Sequence, residues 1–198
     1  MNAHIPNPCV RVIIMVGIPG SGKDTAIAEL KEEAFKYPTR VKFYDVSRDN
    51  IRFSLLQDGE DYFAHEKEVE QEYYSSLKKL IKELAQGDLF EREHSFIIAN
   101  ATHITRASRK KLMNKLSELK DVDIKYTTYF INTPVNIAIE RNDKRSGLAK
   151  VPKEVILNMN KRLEIPNKML EDLETTVTDT FDYYSYYKEG KNNNDLLQ

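Results

Sequence analysis

The chain has 198 residues, of which 40% are hydrophobic, with 30 Lys and Arg set against 31 Asp and Glu and only 7 Gly and 7 Pro. That size and composition fit one globular domain with a buried core and exclude collagen-like, mucin-like and disordered classes. A net charge of −1 provides no broad basic surplus for coating a polyanion, so any phosphate-binding site must be local. The apolar runs are strand-length, far short of the roughly 20 residues of a membrane-spanning helix. The opening MNAHIPNPCV lacks the basic and apolar regions of a signal peptide. A single cysteine, Cys9, allows no intramolecular disulfide, which fits a reducing cytoplasm, and is read as a small core residue.

Taken in chain order, Val10 to Val16 is a β-branched run that predicts a buried parallel strand. Thr25 to Lys36 carries Ala26, Ile27, Leu30, Ala34 and Phe35 at helical spacing, and Val41 to Val46 reads as a second strand. A short helix over Asn50 to Gln57 and a long one over Glu66 to Gln86 follow, the latter stopped by Gly87. Ser95 to Ala99 is the third strand, and Thr105 caps a helix over Arg106 to Lys120 with Leu112, Leu116 and Leu119 on one face and a basic opposite face. Asp123 to Ile131 is the fourth strand, and Thr133-Pro134 opens a helix to about Lys144 as N-cap and N1. Val151-Pro152 begins another helix to about Leu163, a short helix lies around Asn167 to Glu174, and Thr175 to Tyr184 is the last strand, with Asp179 in its apolar phase. Five strands interleaved with helices predict a three-layer α/β/α sandwich with a mainly parallel five-stranded sheet. The whole of 1–198 reads as a single domain, with an N-terminal extension over 1–9, a lid over about 141–152 and a flexible tail over about 188–198.

Gly17-Ile18-Pro19-Gly20-Ser21-Gly22-Lys23 satisfies G-x-x-x-x-G-K directly between the first strand and the first helix, the context that this phosphate-binding motif requires. Its glycines let successive N–H groups turn toward phosphate oxygens at a positive helix end, and Lys23 supplies a cation for the β- and γ-phosphates. The residue after the lysine is Asp24 where Ser or Thr usually ligates Mg²⁺, with Thr25 one further on. Either Asp24 holds the metal, directly or through water, or it caps the helix while Thr25 serves the phosphates.

At this length, and with no guanine-reading N-K-x-D, a kinase is favoured over a GTPase. Ligands of open α/β sheets sit at the carboxyl ends of strands, where strand two ends in Asp45-Val46-Ser47-Arg48-Asp49-Asn50-Ile51-Arg52. Asp49 there can accept a hydroxyl proton and Arg52 can hold a phosphate. Equally, Asp49 can be a helix cap with Arg52 as its i+3 ion-pair partner. Arg141, Lys144, Arg145 and Lys150 form the densest basic group, readable as a mobile cationic lid or as a solvated helix end.

The phosphate loop, the Ser47 to Arg52 run, and Arg141-Asn-Asp-Lys-Arg-Ser-Gly147 followed by Val151-Pro152 resemble the kinase domain of bacteriophage-type polynucleotide 5′-hydroxyl kinases over roughly residues 10 to 165. The resemblance implies transfer of the ATP γ-phosphate, with Mg²⁺, to the 5′-OH of DNA or RNA. It implies that Asp49 is the general base, that Arg52 holds the substrate's 3′-phosphate, and that Arg145 stabilises the transferring group from the lid; apart from the resemblance, Arg141 reads as a nucleotide-side cation. Asn100 and Thr102, after strand three, fall on the acceptor side, Asn100 standing where the family commonly has an acidic residue and able to orient Asp49 or Arg52. No D-x-D-x-T phosphatase signature follows.

Other readings are a kinase for the hydroxymethyl group of a modified pyrimidine in DNA, such as 5-hydroxymethyluracil, a small-molecule kinase of zeta-toxin type, and a nucleotide-gated regulatory module. His103 reads as an incidental loop histidine, and Arg106, Arg109, Lys110 and Lys111 as a solvated basic face. Tyr183, Tyr184, Tyr186 and Tyr187 read as strand and turn packing ahead of base stacking. A few placed cations predict a confined site with a shallow salt dependence.

Overall fold

The computed structural model describes residues 7–35, 41–171, 173 and 175–180. Five strands, β1 (Cys9–Val16), β2 (Lys42–Ser47), β3 (Ser95–Asn100), β4 (Asp123–Asn132) and β5 (Thr175–Thr180), form one sheet in the order β2-β3-β1-β4-β5 with every pairing parallel. Between them lie α1 (Lys23–Phe35), α2 (Arg48–Leu55), α3 (Glu66–Gln86), α4 (Leu89–Glu93), α5 (Arg106–Leu116), α6 (Val135–Asp143), α7 (Lys153–Lys161) and α8 (Lys168–Glu171).

The strand period of two sorts β1 onto both faces. Val10, Val12, Ile14 and Val16 pack with Tyr73, Leu77, Ile81 and Leu84 of α3 and Leu112 and Leu116 of α5. Ile13 and Met15 pack on the other side with Ala26 and Ile27 of α1 and Ile98 of β3. The expected three-layer sandwich is therefore the observed one, each fully buried aliphatic side chain contributing about 1.5 to 3 kcal/mol. A third cluster, Ile18, Ile104, Ala138 and Ile156, ties the phosphate loop to α6 and α7. The chain leaves the central strand β1 in opposite directions across the sheet, so the crevice opens at its carboxyl end. No helix among the described residues is long and apolar enough to cross a membrane.

Several local expectations are corrected. The first helix begins at Lys23, because Gly22 at φ 102° turns straight into it. Gly87 ends α3 as expected, at φ −69° with its N–H closing on the Glu83 and Leu84 carbonyls. Thr133 is not the N-cap of α6. Pro134 takes that place, and the buried Thr133 hydroxyl donates to the Ser21 carbonyl at 2.7 Å, a buried acceptor that needs a partner. Helix α6 ends at Asp143, so Arg145 lies beyond it. Helix α5 stops at Leu116, and α4, capped by Asp88 accepting from the Glu91 N–H at 2.8 Å, was not foreseen. Cys9 is half-buried at the start of β1, outside the core proper.

Arg109 corrects the reading of a solvated basic face, being fully buried. Its Nε and Nη2 donate to the two Glu171 oxygens at 2.6 and 2.8 Å, and its Nη1 donates to the His103 carbonyl at 2.9 Å. Burial works against the Glu171 charge, but Arg109 overrides it and holds the carboxyl below its usual range. Lys111 pairs with Glu70 at the surface, in keeping with a solvated face there. The expected continuation of β5 to Tyr184, the tyrosines at 183, 184, 186 and 187, most of the N-terminal extension and the tail lie outside the described residues.

Candidate active site

The phosphate loop is fastened on three sides. Gly17 N–H donates to the Thr102 carbonyl at 3.0 Å, joining the loop to the segment after β3. The Ser21 carbonyl accepts from Thr133 Oγ1 and, at 3.1 Å, from Arg141 Nη1. Gly20 sits at φ 80°, and a Cβ there would lie 2.2 Å from the Ala138 carbonyl, so only glycine fits between loop and α6. A Cβ on Gly22 would come 3.2 Å from Arg141 Nη1. Ile18 is buried in the cluster with Ile104 and Ala138, and Pro19 follows it at the bend.

Lys23 curls back over the loop and donates to the Gly17 and Ile18 carbonyls at 2.9 and 3.1 Å. Burial pushes its ammonium down to about 8, opposed by Asp24 and Asp49 and assisted by Arg145. These four charges therefore share one electrostatic neighbourhood. Asp24 and Thr25 are exposed in the first turn of α1. Asn100 Nδ2 donates to Asp24 Oδ1 at 3.2 Å and also hydrogen-bonds Asp45, so it serves this carboxylate pair rather than Asp49 or Arg52. Partial desolvation and then the neighbouring Asp24 raise Asp45, against the pull of Lys31 and Asn100.

Asp49 lies in the first turn of α2 with its side chain 62% exposed, and the cap of that helix is Ser47, which accepts from the Asn50 N–H at 3.3 Å. Arg52 Nη1 donates to Asp49 Oδ1 at 2.5 Å and the Tyr62 hydroxyl donates to the same oxygen at 3.0 Å. Arg52 is buried. Its Nη2 donates to Glu66 Oε2 at 2.8 Å, its Nη1 also reaches the Tyr62 oxygen, and Glu66 in turn pairs with Arg48. Burial opposes the Arg52 charge, yet Glu66, Tyr62 and Asp49 leave its pKa raised. Burial, then Asp49, pushes the Tyr62 phenol up to about 12, so it remains a donor. In this arrangement the guanidinium orients the Asp49 carboxylate, and the ion pair weighed from sequence is present without the cap.

The basic segment after α6 is clipped at its base. Buried Asn142 donates from Nδ2 to the Val151 carbonyl at 2.7 Å and accepts the Val151 N–H at 2.9 Å, leaving residues 143–150, Arg145 included, exposed. Thr102 is half-buried and contributes its carbonyl to Gly17.

His103 was read as incidental, yet it is buried at φ 38°. Its Nε2 lies 3.0 Å from the Tyr73 hydroxyl. Burial raises Tyr73 well above its ordinary value, so the phenol keeps its proton in this contact with the imidazole. Burial, then Arg48, Arg109 and Lys23, lowers His103 to about 3. Tyr62, Glu66, Asp45 and Tyr73 also escaped sequence reading. Only Glu66, in the first turn of a strongly periodic helix, carried any local signal.

The loop fits a nucleotide polyphosphate: it has two left-handed glycines, a lysine directed along its own main chain, and a buried Ser21 hydroxyl without a hydrogen-bond partner. Asp24 and Asp45 are the oxygen donors available to a cation. No group of three His, Cys, Asp or Glu forms a cage among the described residues, so Mg²⁺ would complete its shell with phosphate and water oxygens.

A parallel sheet with this loop at the carboxyl end of its central strand is the P-loop kinase fold. A family model described as an AAA domain matches residues 12–166, and the chain belongs to that family. It is 28% identical over 182 residues to an L-seryl-tRNA(Sec) kinase from Methanococcus maripaludis, covering 90% of this chain but spanning only 64% of the length of that curated relative. Among solved structures it is similar to Kti12 of Chaetomium thermophilum in complex with ADP-AlF3, at 18% identity and TM-score 0.57, over 89% of this chain and 94% of that one. It is also similar to a fungal RNA kinase at 11% identity and TM-score 0.56, over 89% and 77% of the two chains. These two likenesses show the fold, and none of the comparisons singles out the bacteriophage-type kinases within it.

Proposed function

We propose that the protein transfers the γ-phosphate of ATP, with Mg²⁺, to a hydroxyl carried by nucleic acid, the 5′-OH of DNA or RNA being the leading acceptor. What supports this reading is that the Asp49 carboxylate is among the charges acting on the Lys23 ammonium of the phosphate loop, as an acceptor-side base would be. When bound, ATP supplies the phosphoryl group and Mg²⁺ neutralises its charge. Residues Gly17 to Thr25 would hold the phosphates, Lys23 exchanging its two main-chain acceptors for phosphate oxygens, and Asp24 and Asp45 would hold the cation. Asp49 takes the hydroxyl proton, oriented by Arg52 and Tyr62. An acceptor phosphate reaches Arg52 by displacing the Glu66 carboxylate. Arg145, on the exposed segment clipped by Asn142, closes as a lid cation over the transferring group and Arg141 steadies the loop.

A second reading, an alcohol borne by a charged tRNA, is favoured by the 28% identity to the L-seryl-tRNA(Sec) kinase. Both are decided by incubating the protein with labelled ATP and a panel of 5′-OH oligonucleotides, hydroxymethylated duplex DNA, seryl-tRNA and small metabolites. Label on oligonucleotide 5′ ends supports the first reading. Label confined to seryl-tRNA supports the second, and label on metabolites alone refutes both.

A further inference from the structure

Beside Asp49 lies a group of aromatic side chains that the phosphate chemistry does not use. Phe63 is 53% exposed and Phe53 37% exposed, and both rings meet Tyr62 at steep angles, with centroids 4.9 and 6.4 Å away. Tyr62 itself is fixed: the Arg52 guanidinium lies 4.4 Å over its ring, and its hydroxyl donates to Asp49. Large apolar side chains left in water cost free energy unless something covers them intermittently.

We infer that Phe63 and Phe53 form a stacking platform for the terminal nucleobase of the acceptor, a reading that rests on a nucleic-acid acceptor. The nucleobase of a 5′-terminal nucleoside lies one sugar ring away from its own 5′ hydroxyl. A hydroxyl presented to Asp49 therefore brings its base beside Tyr62, the residue that joins the carboxylate to the two phenylalanines. The platform is continuous with the candidate base, so a protein docked there would cover Asp49 and block the acceptor. An aromatic face accepts any base, because every base has a π-face, and so the platform fits a kinase that reads the chain end rather than the sequence.

The test uses the full chain and an oligonucleotide with a 5′-OH and a 5′-terminal 2-aminopurine, whose fluorescence is quenched by stacking. The protein has no tryptophan, which leaves the probe signal clean. Quenching is expected on binding. Phe63→Ala is expected to weaken binding about tenfold, equivalent to about 1.4 kcal/mol and within the range of base–aromatic stacking. Phe63→Tyr is expected to restore affinity to within about twofold, whereas Phe63→Leu, of similar apolar area, is not. An oligonucleotide with an abasic 5′ residue is expected to bind the native protein about as weakly as the Phe63→Ala variant binds the intact one. Equal affinity for abasic and normal ends, or unchanged binding in Phe63→Ala with an unchanged melting temperature, overturns the platform and leaves the patch to a protein partner. Transfer of phosphate to the abasic end with full affinity would sink the platform alone. Absence of transfer to any oligonucleotide would sink the proposed function, whatever the fluorescence shows.

Discussion

Acidification tests the buried His103 directly. The ring is neutral when folded and titrates near 3, whereas in the unfolded chain it titrates near 6.5. Between those values the unfolded state binds a proton that the folded state refuses, so stability is full above about pH 6.5 and is lost as pH falls. Each pH unit in that window costs about 1.4 kcal/mol, which amounts to about 3 kcal/mol by pH 4.5 and roughly 5 kcal/mol near pH 3. Carboxylates titrate in the same window, so the comparison is with His103→Asn, which tolerates the left-handed φ of 38° and removes the titration. The variant is expected to be less stable at pH 7.5, having lost the Tyr73 bond, but less sensitive to acid. For a domain of this size about 3 kcal/mol corresponds to roughly 6 to 12 °C. Between pH 7.5 and 4.5 the calorimetric melting temperature of the native chain should fall by that much more than the variant's. Parallel falls in the two proteins would refute the assignment of a buried neutral imidazole.

Other outcomes follow from named contacts. Gly20→Ala should lose at least tenfold in ATP affinity by calorimetric titration and should melt lower, since its Cβ meets the Ala138 carbonyl. The matched control is Gly59→Ala, also left-handed at φ 84° but facing open space, which should cost only the roughly 1 to 2 kcal/mol of the backbone conformation. Arg109→Ala strands the Glu171 carboxylate in the interior and should cost about 3 to 5 kcal/mol in urea unfolding, with Arg109→Met/Glu171→Leu recovering most of it. Equal losses in the single and double variants would contradict that account. Asp49→Asn should lower kcat by about 10² to 10⁴ with little change in the KM for ATP, and near-native turnover would remove Asp49 as the base. Asp24→Ala should raise the Mg²⁺ concentration for half-maximal activity several-fold while leaving the metal-free melting temperature almost unchanged, and an unaltered Mg²⁺ requirement would return the cation to other ligands.

What the sequence disclosed was periodic or contiguous. The near-continuous apolar run in Val10 to Val16 marks a strand buried on both faces, and the run from Glu66 to Gln86 repeats its apolar positions at helical spacing, so its ends are legible to the residue. The phosphate loop is seven consecutive residues between two such signals. What stayed hidden is pairing at a distance. Asn100 meets Asp24 across 76 positions, Arg109 meets Glu171 across 62, and His103 meets Tyr73 across 30. No local period encodes such partners, since they exist only once the sheet order has brought their elements together. Arg109 shows the consequence: beside Lys110 and Lys111 in the chain it looks solvated, and only α8 packing opposite makes it an interior ion pair.

The lysine curled over the phosphate loop carries a chemical signature of its own. An amine titrating near 8 is about a quarter neutral at pH 7.5, against about a thousandth for an ordinary surface lysine. Neutral amine is the nucleophilic form, so Lys23 is open to acylation wherever a reagent can reach it. Occupancy of the loop by nucleotide draws the ammonium back to its charged state and closes that route. Acylation rate at Lys23, followed by peptide mass mapping, therefore reports loop occupancy without any acceptor having been identified.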